Sequence, residues 1–398
     1  MAGLYIHIPF CRSRCAYCDF YSTTREAEAA HYVRALCREI EERREELPHA
    51  RVRTIYIGGG TPSLLTPAQL QQILDAVYAN YEVEEGAEVT MEMNPDDLDP
   101  PPAPPVMEGS RLREVNRVSL GIQTFDDQLL RLIRRRHDSA TALHAVRSLQ
   151  DAGIRNISID LIYGLPGQTL AMWERDLDTA FSLGVQHLSA YALSYEEGTA
   201  LTRWRDEGRI REASDELSVA MYQRLCQRAR EAGFEHYEIS NFALPGFRSR
   251  HNSSYWTGIP YLGFGPGAHS YDGLLTRRAN LPSLDDYVTY YSSPRGGQEG
   301  ALPFSYETLT TTDLHNEAVM CGLRTREGID LPRFLSRFGQ PRLDALLTNT
   351  APHLRAGRLI LDHFSLPHGG GSGSGPSLRL AESALMISDD IMSDLMAS

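Results

Sequence analysis

Three thiols fall within the run Cys11-Arg-Ser-Arg-Cys15-Ala-Tyr-Cys18, in a chain of 398 residues that holds only six cysteines. Core packing gives no reason for such a run. The loop is too short for a disulfide framework, and the remaining cysteines are far away in sequence. Soft thiolates at this spacing are metal ligands. A structural zinc site needs a fourth protein ligand, for which His7, Asp19 or a distant residue is available. An iron–sulfur cubane held by three thiolates leaves one iron open to a ligand that is not protein. Spacing alone leaves both open.

The elements around the loop say where it sits. Leu4, Ile6 and Ile8 alternate with Tyr5, His7 and Pro9, which predicts a strand with Tyr5 and His7 on one face and aliphatic residues on the other. The cysteine loop follows the C-terminal end of that strand, the end at which loops of parallel barrels converge. Further β runs are expected at 52–57, 88–93, 117–121, 156–162 and 187–193, separated by helical stretches such as 25–47, 66–81 and 214–232. Six strands alternating with helices predict a parallel sheet with right-handed crossovers. The residues at the strand ends favour a barrel mouth.

Those strand ends carry a second group of candidates. Gly58-Gly59-Gly60-Thr61-Pro62 lets backbone groups approach a ligand closely, although a tight turn would use glycines too. Glu92 ends an apolar strand between Met91 and Met93, where a carboxylate can accept from hydroxyls or an ammonium group. Asp160, between Ile159 and Leu161, reads as an inward carboxylate that needs a partner. The cluster Arg134-Arg-Arg-His137 on its own reads as a solvated face. Cys37, Cys226 and Cys321 have apolar neighbours and are expected in the core.

Taken together, Leu4-Tyr-Ile-His-Ile-Pro-Phe-Cys11 and the three-cysteine loop resemble the start of the radical S-adenosylmethionine (SAM) proteins. The likeness is to the branch containing oxygen-independent coproporphyrinogen III oxidase and the HemW haem chaperones, and it runs over most of the chain. The resemblance implies an α/β fold, a partial (β/α)6 barrel open on one side. It implies a 4Fe-4S cluster on Cys11, Cys15 and Cys18 whose open iron binds SAM, which an electron from the cluster cleaves to a 5'-deoxyadenosyl radical. The implied SAM contacts are Tyr5, Tyr17, Gly59, Gly60, Thr61, Glu92, Gln123, Arg135 and Asp160. Two features depart from the family pattern. Arg134 stands where glycine is common, and Asp99-Pro-Pro-Pro-Ala-Pro-Pro105 replaces the start of a barrel helix, leaving helix at most from 106 to 114.

Beyond residue 235 the character changes. Residues 236–280, dense in aromatics and glycine, read as an irregular lid and haem-binding linker over the barrel formed by 1–235. Within it, His251-Asn252-Ser-Ser-Tyr255-Trp256 resembles the His-Asn-x-x-Tyr-Trp motif of the HemW branch, making His251, Asn252, Tyr255 and Trp256 haem-binding candidates. His269 is a second histidine able to ligate iron. Residues 281–398 read as a C-terminal winged-helix-like α+β domain whose two β runs flank the linker 369–375.

A net charge of −13 argues against broad binding to nucleic acid or anionic membranes. A signal peptide and a membrane span are not expected, and reduced thiols point to the cytoplasm. Three functions follow. The first is a haem chaperone that binds haem, SAM and the cluster and delivers haem to haem-dependent, respiratory enzymes, with a reductant as further partner. The second is a coproporphyrinogen III dehydrogenase that decarboxylates propionates oxidatively, and the third a zinc module. Phe20 favours the first, because the dehydrogenases continue their loop with Cys-x-Cys, as does the motif from His251 to Trp256.

Overall fold

Alternation along the strands decides the architecture. The computed structural model describes residues 1–47, 50–98, 111–293, 302–362 and 375–397. Strands β1 (Ala2–Ile8), β2 (Val52–Gly59), β3 (Val83–Met93), β4 (Arg117–Gln123), β5 (Ile157–Tyr163) and β6 (His187–Ala192) lie side by side and parallel. On one face Leu4, Ile6, Ile55, Ile57, Val89, Val118, Leu120 and Ile159 join the main core with Tyr32, Leu36, Ile73 and Trp173 of the covering helices. The other face is polar. Register aligns Tyr5 with Tyr56, Thr90 and Arg117 in turn, and one layer higher Glu92 with Ser119, Ser158 and His187. A barrel interior of branched aliphatic side chains fills itself. This one encloses a cavity.

The helices start where capping chemistry predicts. Thr66 and Gln69 form a capping box on Pro67–Asn80, and Ser214 caps Asp215–Glu231. The stretch expected as a helix over 25–47 is shorter, a 3-10 turn Glu26–Glu28 followed by Ala29–Glu42. Arg43 ends it, its guanidinium turned inward to Glu39 and the Gly263 carbonyl. The Pro-rich segment 99–105 lies outside the described residues, as do 106–110; Arg111–Glu114 is a single 3-10 turn.

Residues 236–280 are not an irregular lid. With the residue before them they form β7 (Glu235–Glu238), β8 (Asn241–Ala243), β9 (Tyr261–Phe264), β10 (His269–Tyr271) and β11 (Thr276–Asn280). β8 pairs antiparallel with β6, and β9 parallel with β1, so the segment extends both edges of the barrel sheet. Strands of three to five residues are too short to display a period of two, which hid them in the sequence. Residues 281–308, expected with the C-terminal unit, also belong to the barrel. Leu284, Tyr287 and Tyr291 of the helix Leu284–Ser292 enter the main core, and β12 (Phe304–Thr308) pairs with β11.

Glu39 binds these pieces together. It is fully buried and accepts from Arg43 (2.9 Å), the Gly265 N–H (2.8 Å), Asn280 (2.8 Å) and Tyr287 (2.6 Å). One carboxylate thus joins the first helix to the residue that follows β9, to β11 and to the helix after it.

The C-terminal residues build a core of their own around Val319, Leu323, Phe334, Leu346, Leu378 and Ile391. Helices Thr311–Arg324, Leu331–Phe338, Gln340–Arg355 and Ser388–Leu395 pack with a separate antiparallel sheet of β13 (Ile329–Asp330), β14 (Leu359–Asp362) and β15 (Ser377–Leu380), in the order β13-β15-β14. Apart from Gly375, the linker 369–375 is outside the described residues. Among those described, no helix is long and apolar enough to cross a membrane.

Removing the Glu39 carboxylate strands two arginines and a phenol in the core. Glu39→Ala is expected to lower unfolding stability by about 3–5 kcal/mol, read from the shift of a urea or guanidinium transition.

Candidate cofactor site

A cavity of about 460 Å³ occupies the polar face of the barrel, and the cysteine loop forms one wall. The loop is held at both ends and in the middle. The Cys11 N–H donates to the Thr23 carbonyl (2.9 Å), and that of Thr23 to Pro9 (2.7 Å). In the middle, the Ala16 N–H donates to Ile133 (3.0 Å) and its carbonyl accepts from Leu201 (2.8 Å).

All three thiols are free and line the cavity. Burial pushes the Cys11 thiol up, and that of Cys18 to about 11, so thiolates here require a cation. Arg135 supplies part of it, with Nη1 3.4 Å from Cys15 Sγ, and its Nε is buried without a partner. The Thr61 hydroxyl points at Cys11 Sγ from 3.7 Å. Gly60 leaves room, since a Cβ there would lie 2.6 Å from the Phe10 carbonyl oxygen and 3.0 Å from Cys11 Sγ. Among the described residues, no three His, Cys, Asp or Glu side chains group as a single-ion site. Three soft donors spread around a loop fit a multinuclear iron–sulfur cluster, in which each thiolate meets a different iron.

The other sequence candidates fall into two groups. Tyr17, Gly59, Gly60, Thr61, Glu92, Gln123, Arg135 and Asp160 all line the cavity. Glu92 accepts from Tyr56 OH (2.7 Å) and the Gly59 N–H (3.0 Å), and burial lifts its carboxyl from 4.5 to about 7. Asp160 accepts from Ser119 at 3.2 Å, and burial raises it too. Gln123 adopts φ 72° at a bulge that follows Gly121 in β4. Arg135 donates to Asn94 Oδ1 (2.6 Å) and the Gly121 carbonyl (2.5 Å). Tyr5 stands apart. It is not a wall residue, and its hydroxyl is engaged with His7 Nδ1 at 3.0 Å.

Two further residues belong to the same polar face. Asn94 joins Arg135 to Thr61, donating to the hydroxyl at 3.1 Å; its only sequence signal was its place two residues after Glu92. Arg117 lines the cavity as the first residue of β4, and its signal was a charge on the inward face of an apolar strand. Arg134 explains its own departure from the family pattern. It has φ 60°, a conformation that favours glycine, and its guanidinium lies 4.7 Å over the Trp204 ring.

The motif from His251 to Trp256 is a helix, Arg250–Trp256, whose first N–H groups are capped by Glu88. His251 is 1 % exposed, with Nδ1 on Thr54 Oγ1 (2.8 Å), Nε2 on Tyr255 OH (2.9 Å) and its ring stacked on Tyr56. Burial lowers it to about 3, so the ring is neutral. Both nitrogens are occupied. Asn252 reaches the cavity, whereas Trp256 lies under the Arg324 guanidinium of the C-terminal unit at 4.7 Å. The four residues therefore do not meet around one opening. His269 is exposed in β10.

The radical SAM superfamily pattern matches residues 5–180, and the HemN C-terminal domain pattern residues 309–366. The HemW heme chaperone of Lactococcus lactis is 36% identical over 335 residues, 84% of each chain. That of Bacillus subtilis is 34% identical over 90% of this chain and 93% of its own. The chain belongs to the HemW family of radical SAM proteins. Its fold is also that of coproporphyrinogen III oxidase HemN from Escherichia coli, with TM-score 0.79 and 22% identity over 100% of this chain and 90% of that one. HemW membership fits the position of Phe20, which lies on the cavity rim, 64 % exposed, two residues beyond Cys18.

Because the Glu92 carboxyl is raised in the folded protein, its contribution to stability is complete below pH 4.5 and is lost as pH rises through about 7. Without SAM, Glu92→Gln is expected to match the parent near pH 5. At pH 8 it should be more stable by about 1–2 kcal/mol, allowing for water in the cavity, as read from paired melting curves.

Proposed function

We propose that this chain is a haem chaperone that carries a 4Fe-4S cluster on Cys11, Cys15 and Cys18, binds SAM beside it, holds haem and passes it to haem-dependent enzymes. The observation that carries the reading is the near full-length match to curated heme chaperones. The likeness to the coproporphyrinogen oxidase is one of fold alone. Phe20 in place of a further cysteine supports the same choice.

A bound cluster would supply single-electron chemistry to SAM, with Cys11, Cys15 and Cys18 as the residues that would hold it. The chain's own residues bind and orient. Glu92, with the backbone around Gly59 and Gly60, offers an acceptor to the SAM ammonium group. Asp160 and Gln123 offer polar partners to its sugar, and Arg135 offsets thiolate charge at Cys15 while Asn94 holds it in place. The helix Arg250–Trp256 keeps water from entering beside Tyr56. Haem is cargo, and its contacts are proposed on the segment from His251 to Trp256, with Asn252 the member that reaches the cavity. His251 becomes an iron ligand only by giving up Thr54 or Tyr255. The C-terminal unit is proposed as the docking surface for the haem-accepting enzyme, and a cytoplasmic reductant as the electron source.

Haem added to the anaerobically reconstituted protein is expected to give a shifted Soret band that His251→Ala alters; an unchanged spectrum for the parent rejects the chaperone. Conversion of coproporphyrinogen III to protoporphyrinogen IX, with SAM and reductant present, would replace it with the oxidase. Each of Cys11→Ser, Cys15→Ser and Cys18→Ser should lose iron and acid-labile sulfide together, whereas zinc in the parent protein would remove the cluster from the account.

A further inference from the structure

Arg117 is a buried charge on the cavity wall. It is 1 % exposed, its Nε is buried without a hydrogen-bond partner, and it enters no ion pair among the described residues. Other buried arginines are provided for. Arg43 and Arg278 sit on Glu39 and Glu46, and Arg135 donates to Asn94 and Gly121. The Arg117 charge favours the ionised forms of Glu92 and Asp160, but it makes no direct ion pair with either, and a desolvated guanidinium without a direct partner is in an unfavourable state. The side chain lines the cavity, and Thr90, its register partner on β3, also has an unpartnered buried hydroxyl.

Position separates this group from the cluster loop. Arg117 is level with Tyr5, three residues before β1 ends, which puts it ~10 Å below the rim at ~3.3 Å rise per residue. Glu92 and Asp160 share the cavity with it but have donors of their own in Tyr56, Gly59 and Ser119. Asn252, the member of the haem motif that reaches the cavity, lines the same space. A planar guanidinium with a free edge matches a carboxylate, which it binds through two parallel hydrogen bonds. The cavity of about 460 Å³ must also hold the cofactors. A flexible carboxylate arm is slim enough to share that space.

We propose that Arg117 receives the carboxylate of a bound ligand at the barrel floor, and that this arm is a propionate side chain of the tetrapyrrole cargo. The inference rests on the haem-chaperone reading and adds to it the group by which the cargo is recognised.

The test compares haem with haem dimethyl ester, whose propionates are blocked, as titrants of the full-length cluster-loaded protein, read from the Soret band. The parent is expected to bind the ester about tenfold or more weakly than haem, the scale of a lost charge-assisted pair. Arg117→Gln should lose the same factor for haem, lose nothing further for the ester, and keep its affinity for SAM. No haem binding by the parent rejects the chaperone reading itself. Haem and ester bound equally well reject only the role of Arg117. Loss of SAM binding in Arg117→Gln gives the guanidinium to SAM and overturns the proposal. So does free propionate, the other source of the same chemistry, if it raises the melting temperature without competing with haem. If Arg117→Gln does not fold, the comparison of haem with its ester in the parent protein decides alone.

Discussion

The structure depends on a division of labour between the two faces of its strands. Leu4, Ile55, Val89, Val118 and Ile159 stabilise the sheet against the helices outside it, while Tyr56, Glu92, Ser119, Asp160 and Ser189 look inward onto the cavity. Apolar burial on one side, at roughly 25 cal/mol per Å², lets the other side remain polar and unfilled. Such a barrel cannot fold around its own interior. It has to be held from outside, and the Glu39 carboxylate, bonded to four partners from three separated stretches, contributes to that hold.

Within the cavity the chain manages charge sparingly. The Cys11 and Cys18 thiols are raised by burial, so that holding them as thiolates calls for a compensating cation. Arg135 is placed by neutral groups, Asn94 and the Gly121 carbonyl, and so keeps its full charge for the loop. The unusual backbone at Gln123 and Arg134 belongs to the same construction, because both flank the segment that aims Arg135 at Cys15. Strain near a site of this kind is held by its surroundings, here the Trp204 ring beneath Arg134.

Much of this was legible in the sequence. The six barrel strands showed because each alternates for long enough to be read, and the cysteine loop because no core requires it. The residues at the strand ends were found by type and position, and eight of the nine implied SAM contacts share one cavity. What could not be read has physical causes. β8 and β10 are three residues each, too short for a pattern, so a sheet extension looked like a lid. Tyr5 and His251 face inward, but their polar atoms are spent on His7, Thr54 and Tyr255, and only coordinates reveal a bond already made. Arg117 was visible as a residue, but its lack of a partner was not.

The helix Arg250–Trp256 has a consequence beyond closing the barrel. At one end Asn252 is part of the cavity wall, and at the other Trp256 lies under Arg324, which also donates to the fully buried Glu238 carboxylate of β7 at 3.0 Å. Seven residues therefore span from the C-terminal unit to the cavity wall. A displacement of that unit large enough to unseat Arg324 removes the counterweight from Trp256 and uncovers a carboxylate that water does not reach. The outer unit and the inner chamber are in this way joined by contacts at the two ends of one short helix.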